Sequence, residues 1–144
     1  MRRPLLLASD HAGFELKQRI KQSLQAQGVP FEDLGPDSSE SVDYPDYARK
    51  VAAAISKGEA ERGVLVCGSG IGISIAANRH AGVRAALCHD EFTARAARQH
   101  NDANVIAFGA RVIGRGVAEA ALEVFAGTAF EGGRHAARVA KIDR

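Results

Sequence analysis

The chain has 144 residues, 25% of them charged and 46% hydrophobic, with a formal net charge of +2. That length suits one domain whose core is large enough to fold without disulfides or a metal. So small a net charge, together with no Trp, two Tyr and six Phe, argues against a nucleic-acid partner, which would need basic patches and stacking platforms. The longest apolar runs, such as Pro4–Ala8 and Gly63–Cys67, are too short to cross a bilayer, so no membrane partner is expected. Asp10 and His11 interrupt the region that a signal peptide would keep apolar. Two cysteines form no disulfide framework and suggest free thiols in a reducing compartment, with the cytoplasm as the expected location.

Short β-rich runs alternate with longer helical patterns along the whole chain. Pro4–Ser9 reads as a buried strand, and after Gly13 a helix carries Phe14, Leu16, Ile20 and Leu24 on one face. Gly28 closes that helix and Val29–Leu34 reads as a second strand. The polar stretch Gly35–Asp43 reads as an exposed loop. A helix from about Pro45 to Lys57 follows, with Tyr47, Ala48, Val51, Ala52 and Ile55 facing inward. Gly63–Cys67 is continuous in apolar residues, as a central parallel strand should be. It runs into the glycine loop Gly68-Ser69-Gly70-Ile71-Gly72 and a helix through Asn78. Arg84–Cys88 and Val105–Phe108 read as two more strands. Asp90 suits the N-cap of a helix Glu91–His100, and Val117, Ala121, Leu122 and Phe125 mark the stripe of the next helix. A basic helix over about 133–141 ends the chain. The pattern predicts a single domain over residues 1–144, a three-layer α/β/α, Rossmann-like fold with a five-stranded parallel sheet.

In such sheets ligands bind at the carboxyl ends of the strands. Asp10-His11, Cys67–Gly72 and Cys88-His89-Asp90 should all lie at that edge. Gly68, Gly70 and Gly72 allow positive φ, so that successive N–H groups point at one anion, and the helix start adds partial positive charge there. The spacing is neither the dinucleotide fingerprint nor a P-loop. The plainer reading is a tight turn that lets the helix pack on its strand. Cys67 stands at the mouth of this loop. It is either a thiolate able to take a proton from carbon or a small buried hydrophobe at a strand end. Cys88, with no glycine loop beside it, reads as core.

None of the five histidines forms the i, i+4 pair of a helical zinc site and no Cys-x-x-Cys occurs, so no metal is expected. His11 is a ligand contact or a turn residue, with Asp10 as helix cap. His100 closes a helix as an acid–base group or as a surface cap. Arg134 and Arg138 fall four apart, on one helical face with Lys141 a further turn along. Such a pair suits a phosphate, although a solvated basic tail has the same composition. Arg111, beyond the fifth strand, is a further phosphate candidate.

Five motifs occur in order: Ser9–Gly13, Asp43-Tyr44-Pro45, Val66–Asn78, Arg98–Asp102 and Glu131–His135. Together they closely resemble the ribose/galactose isomerase family, which holds type B ribose-5-phosphate isomerases and galactose-6-phosphate isomerase subunits. The resemblance covers nearly the whole chain. It implies interconversion of ribose 5-phosphate and ribulose 5-phosphate through a cis-enediolate, without metal or organic cofactor. On these positions it implies Cys67 as the base between C1 and C2, with Ser69 counted beside it. The N–H groups from Gly68 through Gly70, Ile71 and Gly72 would hold the enediolate oxygens. His100 would assist ring opening with Asn101 beside it, Asp10 and His11 would contact the sugar and phosphate end, and Tyr44 would line the pocket. Arg111, Arg134 and Arg138 would bind the phosphate. The family implies a homodimer or dimer of dimers with shared sites, so that His100 and some arginines act on a partner's Cys67. A second branch places Gly at the cysteine position and Glu where this chain has Ile73, so the chain resembles the cysteine-base branch. The resemblance leaves open another phosphorylated sugar (allose 6-phosphate, galactose 6-phosphate or erythrulose 4-phosphate) or a non-catalytic sugar-phosphate-binding subunit.

Overall fold

The computed structural model describes residues 3–144. Its elements alternate strictly at first: β1 Leu5–Ser9, α1 Phe14–Ala26, β2 Phe31–Asp33, α2 Tyr44–Ser56, β3 Gly63–Cys67, α3 Ile71–Ala77, β4 Ala85–Leu87, α4 Glu91–Asn101 and β5 Val105–Gly109. Two helices in succession, α5 Arg115–Gly127 and α6 Arg134–Ile142, complete the chain. All four strand pairings are parallel and the sheet order is β2-β1-β3-β5-β4. The five predicted strands and the parallel sheet are therefore present. β2 and β4 are shorter than the apolar runs that announced them, because at the sheet's two edges pairing with a single neighbour ends after three residues.

Side chains of a strand alternate between faces, and the core divides accordingly. Leu7, Val64, Val66, Ile106 and Phe108 pack against α1, α4 and α5, whose contributions include Leu16, Ile20, Ala97, Ala121 and Phe125. Leu6, Ala8, Leu65, Cys67 and Ala107 face the other way, onto Ala48, Val51, Ala52 and Ile55 of α2 and Ile73 and Ala77 of α3. Cys67 thus belongs to the α2–α3 face. Val117, placed in the apolar stripe of α5 by its spacing, is exposed; the buried face is Ala118, Ala121, Leu122 and Phe125. The buried stripe begins one residue later than its spacing suggested, at Ala118, and otherwise keeps the expected Ala121, Leu122 and Phe125.

Lys17 lies in the buried face of α1 with no exposure. Its ammonium donates to Asp33 Oδ1 at 2.6 Å and to the Pro36 carbonyl at 2.8 Å. Asp33 also accepts from Lys21 at 2.7 Å and from the Gly35 N–H at 2.9 Å. The end of β2 and the start of the loop after it are thereby tied to α1. None of the helices is long and apolar enough, among the described residues, to cross a membrane.

Candidate active site

From β1 the chain steps outward to β2, then returns across β1 to place β3 on its other side. The carboxyl ends of β1 and β3 therefore flank the point where the winding reverses, the position at which open α/β sheets leave a crevice. Ser9 pairs with Val66 in register, and the Asp10 N–H continues the ladder to the Val66 carbonyl at 3.1 Å. Asp10-His11 and Cys67–Gly72 are in consequence neighbours at one edge.

The glycine loop has a specific internal wiring. Gly70 N–H donates to Cys67 Sγ at 3.1 Å, and Ile71 N–H donates to Ser69 Oγ at 3.1 Å. Of the three loop glycines only Gly70 has a positive φ, +77°. This corrects the expectation of successive left-handed residues. Gly72 is closely packed in a different way: a Cβ there would stand 2.7 Å from the Tyr44 ring. Two of the donors assigned to the cradle are thus used inside the loop. A helix start leaves its first N–H groups without helical partners, which directs those of Gly72 and Ile73 out of the top of α3.

Around this loop, the Arg111 N–H donates to the Gly68 carbonyl at 3.0 Å. The Arg111 guanidinium lies over Gly68, as does the Ala12 methyl. Asp10 is buried, and its carboxylate accepts from the Gly13 N–H at 2.9 Å, the turn-capping role. His11 Nδ1 lies 3.2 Å from both the N and the O of Val42, which pins the Ser38–Asp43 loop near the site. Tyr44, at the start of α2, is 41% exposed and rests on Gly72. Cys67 itself is only 4% exposed. Asp90 caps α4 by accepting from the Thr93 N–H at 2.7 Å. Cys88 is buried core, with burial pushing its thiol up to about 11.

His100, Asn101, Arg134 and Arg138 are not at this edge. α4 leaves the carboxyl end of β4 and runs back, so its last turn lies where β5 begins, at Val105. Cys67 pairs with Gly109, at the far end of β5. Four strand steps of about 3.3 Å put roughly 13 Å of sheet between the two ends. At the His100 end, α6 packs against α4. The ring of His135 stacks on that of His100, centroids 4.5 Å apart and planes at 19°, and the Glu131 N–H donates to the Gln99 carbonyl at 3.1 Å. Arg134 and Arg138 are both exposed, four apart on α6, and neither has an acidic partner among the described residues. Imidazole and carboxylate donor atoms of His100, Glu131 and His135 lie within 4.8 Å of one another. His135 is the residue that sequence reasoning passed over; its position between Arg134 and Arg138 was the available signal.

One chain therefore carries two groupings of candidate residues at opposite strand ends of a doubly wound sheet, one with a thiol and backbone donors, the other with imidazoles and guanidinium groups. A family model described as Ribose/Galactose Isomerase matches residues 5–142. Ribose-5-phosphate isomerase B of Escherichia coli (strain K12) is 50% identical over 133 residues, covering 92% of this chain and 89% of its own length. Among solved structures, a ribose 5-phosphate isomerase from Thermotoga maritima superposes with a TM-score of 0.95 at 51% identity, covering 97% of each chain. Ribose-5-phosphate isomerase B of Clostridium thermocellum gives 0.95 at 46% identity, covering 98% of this chain and 95% of its own. The chain belongs to the ribose/galactose isomerase family.

Proposed function

We propose that the protein interconverts ribose 5-phosphate and ribulose 5-phosphate, in a site completed by a second copy of the chain. The observation that carries this reading is the separation of the two groupings by the length of β5. Each lacks what the other holds, and relatives of nearly full coverage are named for this reaction. Ile71 and Ile75, one helical turn apart on α3, are exposed together with Tyr44. That apolar face beside Cys67 suits coverage by a second copy.

In the proposed reaction the partner chain's counterparts of Arg134 and Arg138, with this chain's Arg111, hold the phosphate. His11 and Asp10 border the sugar. The counterpart of His100 gives a proton to the ring oxygen as the furanose opens, with that of Asn101 beside it. Cys67, as thiolate, takes the proton from C2 of the open aldose. A C1–C2 double bond forms and the electron pair moves onto O1, where backbone N–H groups at the top of α3 stabilise it. The thiol returns the proton to C1 while the O2 proton passes to O1, leaving the ketone at C2. Ser69, whose hydroxyl accepts from Ile71 N–H, supports the loop that holds these donors. The chemistry asks for one base reaching two adjacent carbons and donors facing the oxyanion. The phosphate supplies remote binding energy for positioning. A homodimer, or a dimer of dimers, in the cytoplasm is the assembly and compartment this reading implies; both cysteines are free thiols.

The test is turnover of ribose 5-phosphate by the purified chain, compared by kcat/KM with allose 6-phosphate, galactose 6-phosphate and erythrulose 4-phosphate. Highest kcat/KM on the five-carbon sugar supports the reading. Preference for another sugar moves the substrate, and no turnover of any makes the chain a binding subunit.

A further inference from the structure

The two consecutive basic positions that begin α6, Arg134 and His135, do not share one environment. Arg134 is exposed, whereas His135 is buried, 8% exposed, against the end of α4. Its ring covers one face of the His100 ring. Its Nε2 stands 3.5 Å from Glu131 Oε1 and has no hydrogen-bond partner in bonding geometry among the described residues. Glu131 is itself tied to α4 through the bond from its N–H to the Gln99 carbonyl, the residue next to His100. The His135 N–H donates to the Gly132 carbonyl at 3.0 Å. Backbone and side chain together hold this imidazole between Glu131 and His100.

We infer that His135, oriented by Glu131, is a positioning residue that fixes the plane of His100 in register with Arg134 and Arg138. The inference rests on the proposed function, in which His100 opens the sugar ring in a partner's site. His100 is exposed and sits in the last turn of its helix, where an unsupported side chain samples several rotamers. A proton donor must meet the ring oxygen at a set distance and angle, and a displacement of about 1 Å can cost on the order of 100-fold in rate. Stacking against a buried ring removes that freedom without occupying either nitrogen of His100. A metal ion is the other use for two imidazoles and a carboxylate. Arg134 and Arg138 weigh against it. Burial, followed by Arg134, His100 and Arg138, holds His135 below its usual pKa despite the opposing pull of Glu131, and the same guanidinium charges would repel a dication.

Uptake of solvent deuterium separates positioning from plain structural support. The aldose 5-phosphate closes to a furanose through its C4 hydroxyl. The ketose 5-phosphate has its C5 oxygen esterified and stays open, so proton exchange at its C1 through Cys67 needs no ring chemistry. The experiment measures aldose turnover, and deuterium uptake at C1 of the ketose in heavy water, for His100→Asn, His135→Leu, His135→Phe and Glu131→Gln, with thermal melting of each. Expected for His135→Leu is a kcat on the aldose lowered about 10- to 100-fold, with ketose C1 exchange within about threefold of wild type. His135→Phe, which keeps a flat ring against His100, restores most of the loss. Wild-type aldose turnover in His135→Leu, or an equal fall in turnover and exchange, overturns the inference. If the leucine variant does not fold, Glu131→Gln decides: a loss of aldose turnover with exchange retained supports the inference, and its absence overturns it. His100→Asn serves as the control. Selective loss of turnover there without one in His135→Leu sinks this inference alone, whereas no selective loss in His100→Asn sinks the ring-opening role on which it rests.

Discussion

The sulfur of Cys67 accepts a hydrogen bond from the Gly70 N–H at 3.1 Å, across a loop of only two intervening residues. The bond fixes where the sulfur points and joins the end of β3 to the residue that opens α3. Gly70, with a φ of +77°, then turns the chain from the loop into α3. The candidate base and the cradle beside it are one folded unit.

Cys67→Ser keeps an acceptor for Gly70, whereas Cys67→Ala removes it. Both variants should lose turnover by on the order of 1000-fold, the size of a missing general base. The serine variant should melt close to wild type. A coupled isomerase assay with circular dichroism checks this; a serine variant within tenfold of wild-type kcat would place the base elsewhere.

The proposed site joins Cys67 of one chain to His100 of another, and on that reading inactive chains should complement each other. Cys67→Ala and His100→Asn, mixed in equal amounts and allowed to exchange subunits, should regain about a quarter of wild-type ribose 5-phosphate turnover, the share of sites that are intact in a random mixture of dimers. Each variant alone stays low. No recovery despite subunit exchange, followed by mass spectrometry of a tagged chain, would rule out a site shared across the interface.

The loop glycines should differ in what they tolerate. Gly70→Ala meets a positive φ and a Cβ 2.8 Å from the Phe108 carbonyl carbon, neither of which can yield cheaply. A loss of about 2 kcal/mol is expected. Gly72→Ala meets the Tyr44 side chain, which can swing outward. It should cost under about 1 kcal/mol of stability but raise KM by disturbing the pocket wall. Urea midpoints and Michaelis constants for the two variants give the comparison.

Asp33→Asn should destabilise the protein by about 3 kcal/mol, because it leaves the Lys17 ammonium buried without its counter-charge. Burial already holds Lys17 below its ordinary 10.5, against the pull of Asp33. For Asp33, burial would raise the pKa, but bonds from Lys17, Lys21 and Gly35 outweigh it and the net shift is downward from 3.8. A carboxylate with a depressed folded pKa adds stability above its unfolded value, and that stability is lost as pH falls through the folded one. The wild type should therefore lose stability below about pH 3.8, a decline that Asp33→Asn shows to a smaller degree in urea melts at pH 2 to 5.

Most of the fold was legible in the residues. Gly63–Cys67 has no polar residue to reconcile with an edge strand, and it lies inside the sheet between β1 and β5; its register with Val105–Gly109 was not legible, because two uniformly apolar runs carry no alternation to set it. Helices were legible through their caps, as with Asp90 before α4. Less legible was Lys17, a charged residue on the inner face of α1, because its partners Asp33 and Pro36 lie 16 and 19 positions away. Val117 misled for a related reason: spacing alone does not say which side of a stripe a neighbouring helix will cover.

On the site, local pattern and family resemblance singled out Cys67, the glycine loop, His100 and the arginine pair as chemically notable. Each is conspicuous within a few residues of its own neighbours. Where they stand relative to one another depends on which way α4 runs and on the β2-β1-β3-β5-β4 order, since these set the ends of the sheet at which side chains emerge. Residue types and short-range spacing decided what chemistry the chain can offer. Only the tertiary structure decided that thiol and imidazole lie a strand's length apart, because that separation comes from packing between elements distant in sequence, which no local pattern encodes.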